Sequence, residues 1–302
     1  LEESDKFSLS KSEYENFLGW LHNRYSKNLC EFHSFDKALL HVKAALDLAL
    51  NKNDFCSAAE AEIEYGNIYA YFDAEKAIQH WRKSVYYISI CGNDSYYFQV
   101  YEHGYYVLSK LFAGTISDDL PEKISKLQDL RDKTFLYQQL FIDDICADYY
   151  IIQYMNENCG LQILKDMIPQ LSRMKADSYN YTPEITMLAT YKLFTVYRLI
   201  CEAEPTEVNR DIAKAFIYEL IKNNLFAEGK LSYSKMILYD ILDFCRDKRD
   251  LGNEIMHELP ENAQKLFLQL IDAPADNGHF HAITLLSDQK KQVNLLHFNY
   301  IF

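Results

Sequence analysis

Apolar residues recur at spacings of three and four along almost the whole chain, and this is the period of an α-helix. Only nine glycines and six prolines occur in the 302 residues, whereas a multi-stranded sheet has to turn about every 8–12 residues. The pattern therefore predicts an all-α protein made of long helices. Helices joined by short connections pack as antiparallel neighbours.

The clearest helix pair is predicted over residues 54–71 and 74–91. Small and apolar side chains form one stripe on the first helix, and a second stripe runs through Ala77 and Trp81. Gly92 follows the second stripe, where a left-handed glycine commonly ends a helix. The short connection between the two segments predicts an antiparallel pair.

This pair carries a recognisable motif, Tyr65-Gly66-x-x-Tyr69 followed by Ala77-x-x-x-Trp81-x-x-Ser84. The motif resembles the tetratricopeptide repeat, in which small residues let two helices approach and aromatic residues fill the space around them. Weaker copies extend the resemblance over roughly residues 15–113. The resemblance implies an α-solenoid, a stack of helix pairs.

We predict that the solenoid occupies residues 1–272 and that a separate segment, 273–302, packs on it. Two apolar runs in that segment fit a β-hairpin and a terminal helix equally well. Between the motif and this segment only the helical period continues. It predicts helices near residues 121–131, 135–156, 160–176, 183–203, 207–226, 230–246 and 260–272.

In the family that the motif resembles, exposed positions of each first helix line a groove that binds a protein or peptide. Alignment of the family's motif on Gly66 and on Gly104 identifies the corresponding positions in this chain. The resulting groove is aromatic and weakly acidic, which suits an apolar or basic segment. The residues predicted to bind the partner are Glu60, Asn67, Tyr71, Phe98, Tyr101, Tyr105 and Ser109.

The resemblance implies a protein- or peptide-binding module, the recognition or sensor part of a larger signalling or defence protein. A cytosolic receptor for a short signalling peptide is the alternative, since some such receptors are similar superhelices. An enzyme on a helical scaffold is the third hypothesis. The ligand and the oligomeric state are left open by the sequence.

The composition indicates which kinds of partner and which cellular compartment to expect. The formal net charge of −13 repels phosphate backbones, so no nucleic-acid partner is expected. The seven cysteines contain no Cys-x-x-Cys pair, a pattern typical of reduced thiols in the cytoplasm. No apolar run approaches the roughly 18 residues of a membrane span, so we expect no membrane partner and a cytoplasmic protein.

No motif for bound-cofactor or metal chemistry is found. The chain lacks the phosphate-binding loop, the dinucleotide-binding glycine pattern and the hydrolase nucleophile elbow, so we predict no cofactor, no metal and no catalytic residues. His279 and His281 are interpreted as part of a polar turn. Asp143, Asp144 and Asp148 are interpreted as a solvated helix face.

Overall fold

The structure is a computed structural model that describes residues 10–31, 34–179, 183–222, 237, 240–241, 244–245, 249–261, 264–265, 282–283 and 293–294. The described residues belong to two compact units. Unit 1 contains those up to Ala113 and those from Ser117 to Leu130. Unit 2 contains Gly114–Ile116 and the described residues from Arg131 onwards.

Unit 1 is a series of helices in which each of the first four packs against the next. The first helix also contacts the third, as happens when helix pairs stack and their first helices become neighbours. The helices are α1 (Lys11–Glu31), α2 (Phe35–Asn51), α3 (Phe55–Tyr69), α4 (Ala74–Cys91), α5 (Tyr96–Phe112) and α6 (Leu120–Arg131).

Unit 2 repeats this arrangement, since its helices also contact their neighbours in series and its first helix contacts its third. Two two-residue strands, β1 (Ala282–Ile283) and β2 (Val293–Asn294), pair antiparallel. This pairing corresponds to the hairpin alternative for these four residues. The helices are α7 (Leu136–Met155), α8 (Gln162–Ser178), α9 (Pro183–Ala203), α10 (Glu207–Lys222) and α11 (Arg249–Glu258).

The predicted all-α fold with serially packed helix pairs is confirmed. None of the described helices is both long enough and apolar enough to span a bilayer. Helix α11 was not predicted, since it lies between the helices predicted near residues 230–246 and 260–272. The boundary between a solenoid and a separate C-terminal segment at residue 273 stays a prediction, and His279 and His281 lie outside the described residues.

The helix boundaries follow local capping chemistry. The Asp54 side chain accepts a hydrogen bond from the Ser57 amide at the start of α3, and Asp73 accepts one from the Lys76 amide at the start of α4. These caps satisfy amides that have no partner inside the helix. Gly92 ends α4 with φ 67°, as predicted, because glycine adopts the left-handed conformation without steric cost.

Trp81 is fully buried between α3 and α4, as the sequence predicts. A Cβ atom on Gly66 would collide with the indole ring, so only glycine allows this packing. The indole Nε1 donates a hydrogen bond to Asn67 Oδ1 at 3.1 Å. The Phe112 ring meets the indole edge to face at 4.8 Å between centroids. Unit 1 is therefore organised around one tryptophan.

We expect Gly66→Ala to lower the free energy of unfolding of unit 1 by about 1–3 kcal/mol, because the new methyl group overpacks the site. Trp81→Ala should cost about 3–5 kcal/mol by leaving a cavity. Both values can be measured by urea denaturation of the full chain, monitored by circular dichroism.

Gly19→Ala is the matched control, since Gly19 lies inside α1 and its added Cβ would meet only ordinary contacts with Leu48 at 4.0 Å. Alanine favours a helix over glycine by about 1 kcal/mol, so this variant should be neutral or more stable. A Gly66→Ala protein as stable as Gly19→Ala would contradict the packing described here.

Candidate functional site

A groove opens in unit 1 along α1, α3 and the first turn of α5, and Ala45, Leu48 and Ala49 of α2 form part of its wall. It consists of two adjoining cavities of about 100 and 90 Å³ that share Trp20, Asn23 and Glu60. Trp20 is 51% exposed, so an aromatic ring borders the groove and remains open to solvent. We call this feature the three-helix groove.

The walls of the groove are held in place by polar contacts from Lys52, just after α2. Its ammonium group donates to the Ser12 carbonyl and to Asn16 Oδ1, each at 2.8 Å. It also forms an ion pair with Glu15 at 3.2 Å. These contacts tie the first half of α1 to the connection that leads into α3.

Glu60 lies at the centre of the groove. The Tyr97 hydroxyl, from α5, donates to Glu60 Oε1 at 3.0 Å. Burial raises the pKa of Glu60, while the hydrogen bond from Tyr97 and the nearby Arg24 act in the opposite direction. A carboxylate that has lost part of its hydration gains from a new hydrogen-bond donor, so Glu60 is suited to contact a ligand.

Asn23 and Arg24 add complementary groups on α1. The Asn23 Oδ1 atom is buried and accepts no hydrogen bond, which is a costly state for an amide oxygen. The Arg24 guanidinium carbon lies 5.4 Å from the centroid of the Trp20 ring. The groove thus offers acceptors, a cation and an aromatic ring to a bound molecule.

The charge balance of the groove is close to neutral and slightly acidic. Four carboxylate side chains and three cationic side chains line the two cavities, as do Ser57 and the ring of Tyr97. The weakly acidic groove expected from the sequence was placed on other residues, and it stays a prediction. The charged residues are Glu15, Asp54, Glu60, Glu64, Arg24, Lys27 and Lys52.

Most of the residues predicted to line an exposed groove are buried in the packing of unit 1. Tyr101 and Tyr105 are fully buried, so the prediction that they are exposed is wrong. The ring of Tyr105 lies 6.0 Å from that of Trp81, and Asn67 Nδ2 donates to the Tyr105 hydroxyl at 3.5 Å. The same correction applies to three other predicted groove residues, Asn67, Phe98 and Ser109, which are also buried.

Two predicted residues remain accessible. Glu60 lines the groove, whereas Tyr71 is half-buried and packs on Phe35 with centroids 5.3 Å apart. Sequence reasoning missed Trp20, Asn23 and Tyr97. Their helical spacing could have indicated them. Asn23 follows Trp20 by almost one helical turn on α1, and Tyr97 precedes Tyr101 by one turn on α5.

A second polar cluster is buried in unit 2. Asp144 and Asp148 on α7 both contact the Lys192 ammonium of α9, the first at 2.6 Å. All three side chains are almost fully buried. Asp143 is paired with Arg131 by two hydrogen bonds of 2.8 Å. The interpretation of the three aspartates as a solvated face is therefore wrong.

Two carboxylates and one ammonium would leave a net negative charge in the core of unit 2. Burial raises the pKa of Asp148 to about 7, against the opposing effect of Lys192. Burial lowers the pKa of Lys192, but the two carboxylates outweigh that effect and the net shift is upward. The cluster therefore keeps Lys192 charged, and as pH falls through about 7 its carboxylates take up a proton that makes the cluster neutral.

This proton makes the stability of unit 2 depend on pH. The pKa of Asp148 is higher in the folded than in the unfolded chain, so the stabilisation is fully present below about pH 4 and is lost as pH rises to about 7. We expect Asp148→Asn to remove this dependence, while Asp166→Asn on the surface of α8 retains it. Urea denaturation at pH 5, 6, 7 and 8 measures the effect, and identical pH profiles for the two variants would contradict the assignment.

Comparisons with protein-family models and with characterised proteins find no match to this chain. The resemblance to the tetratricopeptide repeat stays a prediction that rests on the motif around Gly66 and Trp81.

Proposed function

We propose that unit 1 is a recognition module that binds an extended segment of a partner protein in the three-helix groove. The observation that carries this proposal is the position of Asn23. Its side-chain oxygen is buried and accepts no hydrogen bond inside the protein, and other atoms of the residue line both cavities. A backbone amide of a bound segment would supply the missing donor.

The neighbouring groups suit the same ligand. Trp20 can pack against an apolar side chain, because large aromatic rings dominate the binding energy of protein interfaces. Glu60 can accept from a basic side chain or from a second backbone amide. The preferred ligand is therefore an extended segment with an apolar residue next to a basic residue.

A cytosolic receptor for a short free peptide is the second candidate, because the same cavities would accept such a ligand. The difference lies in the ends of the ligand. A receptor for a free peptide would contact its terminal ammonium or carboxylate, and Glu60 and Arg24 carry the charges for such contacts. A module for protein segments binds the interior of a longer chain.

A cytoplasmic location and a role within a larger signalling or defence protein complete the proposal. The seven cysteines are all free thiols, which supports a reducing compartment. The role in signalling or defence rests on analogy of fold alone. That the chain has no catalytic activity also stays a prediction.

Peptides selected from a random display library on the full chain provide the ligand for a test. We expect Trp20→Ala to weaken binding of the selected peptides by about 2 kcal/mol, a roughly thirtyfold loss of affinity, if the ring is an anchor. Tyr14→Ala is the matched control, since Tyr14 is equally exposed on α1 at 55% and lies outside both cavities. Fluorescence anisotropy of labelled peptides measures the affinities.

Equal affinities for the Trp20→Ala and Tyr14→Ala proteins would contradict the proposed groove. The same peptides with added flanking residues at both ends distinguish the two ligand types. Retained affinity supports a module for protein segments. Loss of affinity when either terminus is extended supports the receptor for a free peptide.

A further inference from the structure

Large apolar side chains form an exposed stripe on α1. Five of them are between 45% and 55% exposed, and their spacing places them on one side of the helix. Two of the rings already pack on each other, since Phe17 and Trp20 are stacked with their centroids 5.8 Å apart. We call this feature the outer stripe, and its members are Tyr14, Phe17, Trp20, Leu21 and Tyr25.

The outer stripe leaves a large apolar area in contact with water. A buried aromatic side chain covers about 150–250 Å², so five half-exposed large side chains present roughly 500 Å² on each chain. Helices α2 and α3 contact α1 but leave this area open. A patch of this size is near the upper end of what a monomer exposes, and such patches are often interaction sites.

Charges along one edge of the outer stripe indicate which partner would fit. Glu13 is exposed in the first turn of α1, and Arg24 is partly exposed further along the helix. The 11 residues between them are about three helical turns, so both side chains leave the same edge of α1. With an acidic group near its start and a basic group near its end, this edge is complementary to a copy of itself that runs in the opposite direction.

We propose that the outer stripe is a homodimer interface in which the α1 helices of two chains pack antiparallel about a two-fold axis. A two-fold contact brings each residue of one chain against its counterpart across a common midpoint. Acidic then meets basic, and apolar meets apolar. The pairs that share a midpoint near position 19 are Glu13 with Arg24, Tyr14 with Tyr25, and Phe17 with Leu21.

The antiparallel direction follows from electrostatics. A parallel pair would set Glu13 against its own copy and would align the two helix dipoles, and both effects are unfavourable. Two outer stripes together bury about 1,000 Å², which is at the lower limit for a specific interface. We therefore expect a reversible dimer with a micromolar dissociation constant rather than an obligate one.

The dimer and the three-helix groove share Trp20, but they are separate proposals with separate readouts. Trp20→Ala and Tyr14→Ala each remove a half-exposed ring from the outer stripe, so both should weaken the dimer. Only Trp20→Ala should also weaken peptide binding. Failure of either proposal therefore leaves the other open to its own test.

Sedimentation equilibrium of the full chain, from low to high micromolar concentration, tests the dimer. Leu21→Glu should raise the dissociation constant at least about tenfold, because it places a charge in the apolar contact. Val208→Glu is the matched control, since it adds the same charge at a 67% exposed apolar position on α10. A wild-type chain that is monomeric throughout, or equal dissociation constants for the two variants, would overturn the proposal.

A charge swap tests the antiparallel direction. Glu13→Arg and Arg24→Glu should each weaken the dimer about fivefold, because each creates two like-charge contacts across the two-fold axis. The double variant should recover most of the wild-type affinity, and circular dichroism checks that all three proteins are folded. A double variant that dimerises no better than the weaker single variant would contradict the antiparallel pairing.

Discussion

The packing of Trp81 against Gly66 is the contact on which unit 1 depends. The indole ring fills the space between α3 and α4, and its N–H group needs an acceptor in a region without water. Asn67 supplies that acceptor and also donates to Tyr105. The position of α5 is thereby linked to the same buried tryptophan.

This linkage extends from the core to the groove. Tyr97, Tyr101 and Tyr105 follow one another at intervals of four residues along α5, so they lie on one face of the helix. The ring of Tyr97 packs on that of Tyr101 at 4.6 Å, and its hydroxyl reaches Glu60. A chain of contacts therefore connects Trp81 to the carboxylate at the centre of the three-helix groove.

The sequence predicted most of the helices because these depend on local chemistry. The cap at Asp54, the left-handed Gly92 and the buried Trp81 are all encoded within a few residues of the elements they define. The groove was harder to predict because a tyrosine can lie in a core or on a surface. Alignment on Gly104 placed Tyr101 and Tyr105 on the exposed face of α5, whereas both are buried.

Buried charge was the other feature that local patterns could not predict. An aspartate on a helix is usually solvated, and nothing near Asp148 in the sequence indicates otherwise. Its partner, Lys192, is 44 residues away, and the pair forms only when α7 and α9 pack together. The helical period predicts which residues share a face, but it does not predict which neighbour covers that face.

The most direct test is to determine where a ligand binds on the full chain. Amide and side-chain NMR spectra recorded with a library-selected peptide would give this location residue by residue. The account predicts that the largest shifts fall on the Asn23 side-chain amide, the Trp20 indole N–H and the amides around Glu60 and Tyr97. Shifts confined to unit 2, or to α4, would contradict the proposal that the three-helix groove is the binding site.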